Sequence, residues 1–288
     1  MKILITGSFG LLGRALSHVL ESNHQIVKTG RIIPKGEKGI KLNIQDRLNV
    51  KQVVELIKPE LIINLAALTD VDKCENNQNL AREINVGGVI NLCDHFRGKI
   101  IQISTDYVFD GKNGPYGEND QVSPISIYGE TKLDAEKIIM DSSSNNLVIR
   151  TNVLYDYLEN TNASFLTWVV KSLENNQTIY VVNDQVNNPT WTFSLADIIN
   201  ILIDRKIGGI FHWGDADFVN RYDFAIKISE KFSLDKSLIN PITTDQLKQS
   251  AKRPLKSGLI NDKIVDLLCI IPPKIEECLD SIIKNQYV

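Results

Sequence analysis

The chain opens on a short apolar run, Lys2–Ile5, that ends in Thr6-Gly7 and passes at once into Gly7-Ser8-Phe9-Gly10-Leu11-Leu12-Gly13. Behind these glycines Leu12, Leu16, Val19 and Leu20 recur at helical spacing, so Leu11–Leu20 reads as a helix. A strand that enters a helix through three spaced glycines narrows the choice of fold sharply. Gly7 permits the tight turn, Gly10 lets the backbone approach a pyrophosphate, and Gly13 lets the helix lie close on the strand. The helix N-terminus then offers free N–H groups and its positive dipole end to phosphate. With a strand before it and a helix after it, the pattern indicates a dinucleotide-binding βαβ unit.

The same alternation continues. Gln25–Thr29, Leu61–Leu65, Lys99–Ile103 and Asn146–Arg150 read as strands, and several are apolar throughout, as strands buried on both faces are. Leu48–Ile57, Asn79–Phe96 (as one long helix) and Ser126–Met140 read as the helices between them. The expectation is an α/β fold, a Rossmann-type doubly wound parallel sheet. After about residue 155 the rhythm changes. Ser164–Leu173, Leu195–Ile203, Arg221–Lys231 and Lys274–Ile283 look helical, Ile179–Val182 and Ile210–Trp213 look like short strands, and Asp235–Ser257 is polar and irregular. This divides the chain into an NAD(P)-binding domain over 1–155 and a smaller, mainly substrate-binding α/β region over 156–288. Some segments of the second are expected to return to the first.

Composition excludes several classes. A net charge of −3 over 288 residues leaves no basic footprint for nucleic acid. No 18-residue apolar run could span a membrane. The N-terminal apolar run is too short for a secretory signal, so Cys74, Cys93, Cys269 and Cys278, none in CxxC spacing, read as reduced thiols of a cytoplasmic protein. On that reading the sequons at Asn162 and Asn176 are coincidental. His18, His24, His95 and His212 share no metal-ligand spacing, and no metal site is expected. Glu118 and Asp120 read as solvated loop carboxylates that could touch substrate hydroxyls.

Three features carry chemistry. At the end of the second strand, where an acidic residue would select a free ribose 2′-hydroxyl, stands Thr29-Gly30-Arg31. An arginine there suits a 2′-phosphate and favours NADP(H) over NAD(H). Tyr128 and Lys132 lie at i and i+4 of a helix and share a face. A nearby cation lowers the pKa of a phenol, so Tyr128 could protonate a carbonyl oxygen as hydride reaches the carbon. Ser104 and Thr105 close the Lys99–Ile103 strand at its C-terminal end, where open α/β sheets bind ligands; either hydroxyl could hold the substrate oxygen.

Together TGSFGLLG, NLAALTDVDKCE, INVGGVINL, ISTDYVFDG and YGETKLDAE resemble an extended short-chain dehydrogenase/reductase. STDYVFDG, DQVNNPTW and RPLKSGL narrow the resemblance to the dTDP-4-dehydrorhamnose reductase group, from residue 1 to about 260. The resemblance implies an NADPH- or NADH-dependent reductase of the C4 ketone of a nucleotide-linked 6-deoxyhexose, converting dTDP-4-dehydro-L-rhamnose to dTDP-L-rhamnose for cell-surface polysaccharide. It implies Thr105, Tyr128 and Lys132 as the catalytic triad, favouring Thr105 over Ser104. Gly7, Gly10, Leu11 and Leu12 would line the cofactor pyrophosphate, Arg31 the adenosine ribose, and Asn43-Ile44 the adenine. Ala66, Ala67 and Thr69 would flank the cofactor, with Asn85 holding the catalytic geometry. Tyr107, Val108, Trp191 and Arg253 would face the sugar nucleotide, Arg253 with a fork suited to its diphosphate. A homodimer through the C-terminal helix and a role for a divalent ion are both left open.

The chain departs from that pattern in three places. Ala135 precedes Glu136 where the family commonly has glycine. Thr151–Asp156 replaces a tryptophan and a Tyr-Gly expected near the nicotinamide and sugar. Asn187 stands in the family's DQxGxPT loop, where asparagine could supply a left-handed backbone. TGSFGLLGRA is also compatible with the regulatory subunit of methionine adenosyltransferase, which resembles the same reductases and binds NADP as a partner, not as a reductase. A reductase of another nucleotide sugar is the third alternative.

Overall fold

The structure is a computed structural model that describes residues 1–158 and 164–286. Asn162, half of one sequon, lies outside them. In chain order the first half runs β1 (Lys2–Thr6), α1 (Leu11–Leu20), β2 (Gln25–Gly30), β3 (Ile40–Lys41), α2 (Arg47–Ile57) and β4 (Leu61–Asn64). It continues with α3 (Val71–Asn76), α4 (Gln78–Arg82), α5 (Gly88–His95), β5 (Lys99–Thr105), α6 (Ile127–Ser142) and β6 (Leu147–Thr151). The second half runs β7 (Leu154–Tyr155), α7 (Phe165–Glu174), β8 (Ile179–Val182), β9 (Val186–Asn187), β10 (Thr190–Trp191), α8 (Thr192–Asp204) and β11 (Gly209–Trp213). It ends with β12 (Val219–Asn220), α9 (Arg221–Lys231), β13 (Ile239–Ile242), α10 (Thr244–Leu247), α11 (Asp262–Leu268) and α12 (Ile275–Gln286).

Seven strands form one sheet in the order β11-β6-β5-β4-β1-β2-β3, and every pairing in it is parallel. The chain leaves β1 toward β3, then returns to β4 on the other side. That reversal opens a crevice beyond the C-terminal ends of β1 and β4. The two-residue period of a strand sorts side chains into two layers. Ile3 and Ile5 pack with α1, α8 and α11, whereas Leu4 packs with α2, α5 and α6. A third core, including Phe224 and Leu279, joins α7, α9 and α12 into a smaller lobe, where β8 pairs with β13.

Three expectations are corrected. The single helix over 79–96 is α4, then a π-helical turn at Glu83–Gly87, then α5. Apolar spacing does not register one extra residue in a turn. Asn187 lies in extended backbone, paired with Val219 in an antiparallel ladder, and takes no left-handed conformation. The irregular stretch 235–257 contains β13 and α10. No helix among the described residues is long and apolar enough to cross a membrane, and no cluster of His, Cys, Asp and Glu among them could hold a metal ion. None of the four cysteines is bridged, and only Cys269 is exposed.

Candidate active site

A cleft of about 600 Å³ lies at the C-terminal ends of the central strands. Its floor begins at Gly7, whose φ of +65° turns the chain from β1. A Cβ on Gly7 would sit 3.2 Å from Ala66 N, so the glycine lets the ends of β1 and β4 approach. A Cβ on Gly13 would lie 2.5 Å from the Ser8 carbonyl oxygen, which explains how closely α1 sits on the loop. Helices α2, α6, α7 and α9 are capped by a side chain that accepts a backbone N–H; α1 begins at Gly10 with no side-chain cap. Its first amides therefore open onto the cleft as an anion cradle, which fits the diphosphate of a dinucleotide. Beyond β2, Arg31 borders the same cleft.

A buried polar ladder fixes the next segment. Thr6 Oγ1 donates to Asn64 Oδ1 at 2.6 Å, and Asn64 Nδ2 to Gln102 Oε1 at 2.7 Å, tying β1, β4 and β5. Thr6 Oγ1 also accepts from Leu65 N and Ala66 N, both at 3.1 Å, and so holds the backbone that carries Ala66, Ala67 and Thr69 into the cleft.

Tyr128 and Lys132 project from the first two turns of α6, capped by Ser126. Lys132 is 5% exposed, and its ammonium donates to Ile103 O at 2.5 Å. Burial pushes its pKa down to about 8, opposed by the Glu136 carboxylate. Tyr128 meets Tyr107 edge-on, with ring centroids 5.5 Å apart. Burial raises the phenol well above its ordinary pKa, while a hydrogen bond with Thr105 works the other way. Burial, and not the expected lowering by Lys132, is the ruling influence here. Thr105 Oγ1 donates to Asp106 Oδ1 at 3.0 Å and accepts from Tyr107 N. Asp106, 1% exposed, also accepts from Ser257, and burial raises it to about 6 against those two hydrogen bonds.

The cleft thus brings together Gly7, Gly10, Leu11, Leu12, Arg31, Ala66, Ala67, Thr69, Thr105, Tyr107, Tyr128 and Lys132. Other expected site residues lie elsewhere. Ile44 and Val108 are core residues, 4% and 0% exposed. Asn43 Oδ1 accepts from Gln45 N in a turn outside the cleft lining. Asn85 sits behind the cleft: its amide accepts from Leu68 N at 2.7 Å and donates to Leu68 O and Thr131 Oγ1, both at 3.1 Å. It thereby joins the loop after β4 to the helix that carries Tyr128. Trp191 donates its backbone N–H to Asp215 and packs with the small lobe. Arg253 borders a second cavity and is paired with Asp72 at 2.8 Å. Glu118 accepts from His212 N and Asp120 from Gly117 N, so both are structural. Asn152 lines the cleft within the Thr151–Asp156 stretch expected near the nicotinamide and sugar, whereas the expectations missed Asp106 and Arg221, which line it too. Arg221 stands in no glycine or Tyr-x-x-x-Lys pattern that would have marked it.

Sheet order, glycine cradle and a Tyr-x-x-x-Lys helix define the Rossmann-type fold of the short-chain dehydrogenase/reductases. More narrowly, the chain belongs to the RmlD substrate binding domain family, whose model matches residues 1–288. It is 32% identical over 296 residues to a dTDP-4-dehydrorhamnose reductase of Aggregatibacter actinomycetemcomitans, covering 98% of both chains. It is 34% identical over 278 residues to methionine adenosyltransferase 2 subunit beta of Rattus norvegicus, covering 92% of this chain and 82% of that one. Among solved structures, the dTDP-4-dehydrorhamnose reductase of Bacillus anthracis in complex with NADP matches with a TM-score of 0.90, 29% identity and 99% coverage of both chains.

Proposed function

We propose that this protein is an NADPH-preferring reductase of the C4 ketone of a nucleotide-diphosphate 6-deoxyhexose, with dTDP-4-dehydro-L-rhamnose as substrate and dTDP-L-rhamnose as product. The observation that carries the reading is the meeting of Thr105, Tyr128 and Lys132 at the glycine cradle, in one cleft. Residues 1–155 would form the cofactor half, joined by α8 and β11, and the small lobe would hold the sugar nucleotide. Gly7, Gly10, Leu11 and Leu12 would hold the diphosphate of NADPH, and Arg31 its 2′-phosphate. Ala66, Ala67 and Thr69 would flank it. When bound, this cofactor supplies hydride to the ketone carbon.

The protein's own groups handle the proton. The raised affinity of Tyr128 keeps its phenol protonated at neutral pH, as a general acid for ketone reduction must be. Thr105, its own proton directed at Asp106, would have its oxygen turned toward the phenol and the substrate oxygen. Lys132 would hold the nicotinamide ribose and balance charge as the phenolate forms. The outer face of the C-terminal helix could serve a homodimer.

The second reading, an NADP-binding regulatory subunit, is favoured by the 34% identity to the methionine adenosyltransferase subunit. A coupled assay separates the two: dTDP-4-dehydro-6-deoxyglucose, a 3,5-epimerase and NADPH, followed at 340 nm. Epimerase-dependent oxidation that Tyr128→Phe reduces by about 10²- to 10⁴-fold, with NADPH still bound, is expected. Oxidation without the epimerase would assign a different sugar. NADPH binding with no oxidation would favour the regulatory subunit.

A further inference from the structure

We infer that Arg221, and not Arg253, is the residue that binds the diphosphate of the sugar nucleotide; this rests on the reductase reading above. The resemblance assigned that task to Arg253. In the fold Arg253 is already committed. Its Nη2 lies 2.8 Å and its Nη1 3.2 Å from the two Asp72 carboxylate oxygens, and Nη1 also donates to Ala251 O at 2.9 Å. Its side chain is 7% exposed and borders the second cavity. Asp72 further accepts from Ala251 N at 2.9 Å. These contacts fasten the 250–256 segment to α3 and use three of the guanidinium's five N–H donors.

Arg221 is the opposite case. It opens α9 directly after the Asn220 cap, and it lines the central cleft beside Asp106, Tyr107 and Tyr128. Among the described residues its guanidinium has no carboxylate within ion-pair distance and no hydrogen-bond acceptor. It lies over the face of Phe165, 5.2 Å from the guanidinium carbon to the ring centroid. Phe165 in turn stacks on Phe224 in the lobe core. A cation–π platform directs a guanidinium without using any of its five N–H donors. Arg221 is half-buried, so its donors face the cleft, and a forked cation there with no protein acceptor is free to take an anion. A diphosphate meets that fork with two oxygens at once.

The nearby carboxylate does not fill this role. Asp106 accepts from Ser257 and Thr105, which engage both of its oxygens. Nor does Arg221 duplicate Arg31. Arg31 follows β2, whereas Arg221 lies by the residues that follow β5, and β4 and β1 stand between those strands. Among the described residues, Arg31 and Arg221 thus line the cleft in separate places with no acidic partner, one for each phosphate-bearing ligand. Because Arg221 comes from the small lobe and Tyr128 from the sheet lobe, a diphosphate held here would also fix the sugar's reach toward the phenol.

The test titrates dTDP and thymidine into the NADPH-loaded protein, as wild type, Arg221→Met, Arg221→Lys and Arg253→Met. Wild type should bind dTDP much more tightly than thymidine. Arg221→Met should lose about 10- to 100-fold in dTDP affinity, with thymidine and NADPH affinities unchanged. Arg221→Lys, which keeps the charge but loses the fork, should fall between, and also covers the case in which the methionine variant does not fold. Arg253→Met should chiefly lower the melting temperature. A wild-type preference for dTDP that survives in both Arg221 variants would overturn the inference and leave the reductase reading intact. Wild-type protein that binds NADPH but no thymidine nucleotide would instead overturn the reductase reading on which it rests.

Discussion

Arg150 of β6 grips Glu136 of α6 through Nε at 2.9 Å and Nη2 at 2.7 Å, with both side chains almost wholly buried. Glu136 lies one turn beyond Lys132, so this pair pins the helix of the Tyr128–Lys132 dyad to the sheet. Removing one member strands the other charge in the interior. Glu136→Ala should therefore cost about 3–5 kcal/mol, measured by urea unfolding. A loss below 1 kcal/mol would show that water reaches Arg150 once its partner is gone.

Gly13 tests the close seating of α1. An alanine Cβ would fall 2.5–2.6 Å from the Ser8 backbone, too near for any real contact. Gly13→Ala should push α1 outward, lowering stability by about 1–3 kcal/mol and NADPH affinity along with it. Thermal melts with and without NADPH would separate the two effects.

Asp106 gives stability a pH dependence. Its carboxyl is raised from 3.8 to about 6, chiefly by burial. A folded-state pKa above the unfolded value favours folding below pH 4, and that advantage disappears as pH rises through 6. Asp106→Asn has no such titration. Between pH 4 and pH 7 wild type should lose about 3 kcal/mol relative to the variant. Parallel stability curves for the two proteins would contradict the assignment.

Lys132 has the reverse sign. Burial depresses it from 10.5 to about 8, so the folded state resists its charge. The penalty is full below pH 8 and fades toward pH 10.5. Lys132→Met should melt several degrees above wild type at pH 7, lose that advantage near pH 10, and lose reductase turnover. Calorimetry at the two pH values tests the stability half of this statement directly.

Local patterns made much of this legible. Three glycines after an apolar run marked the cradle, and i,i+4 spacing put Tyr128 and Lys132 on one helical face; both follow from short-range geometry. What stayed hidden depends on long-range contacts. Nothing in the sequence around Arg253 reveals that Asp72, 181 residues away, already occupies its guanidinium. Arg221 carried no signal except its place after a capping asparagine. Asn85 was assigned a supporting role from resemblance, but the π-helical turn that aims it at Leu68 and Thr131 leaves no trace in apolar spacing. Ile44 and Val108 fell in motifs that touch the site, yet a turn and a short 3-10 turn bury both side chains in the core.

The edge position of β11 bears on how the protein is made. A ribosome has finished the glycine loop, Tyr128 and Lys132 by residue 132, but the strand that covers β6 arrives only with residues 209–213. Until then β6 is an open edge able to recruit strands from other chains. The sheet face beneath α8 stays bare over the same interval, since that helix ends at Asp204. A fragment cut at residue 155 would keep every predicted cofactor ligand and still be prone to aggregate. The small lobe begins with α7, before β11, and ends with α12, after it, so it is completed only after the sheet.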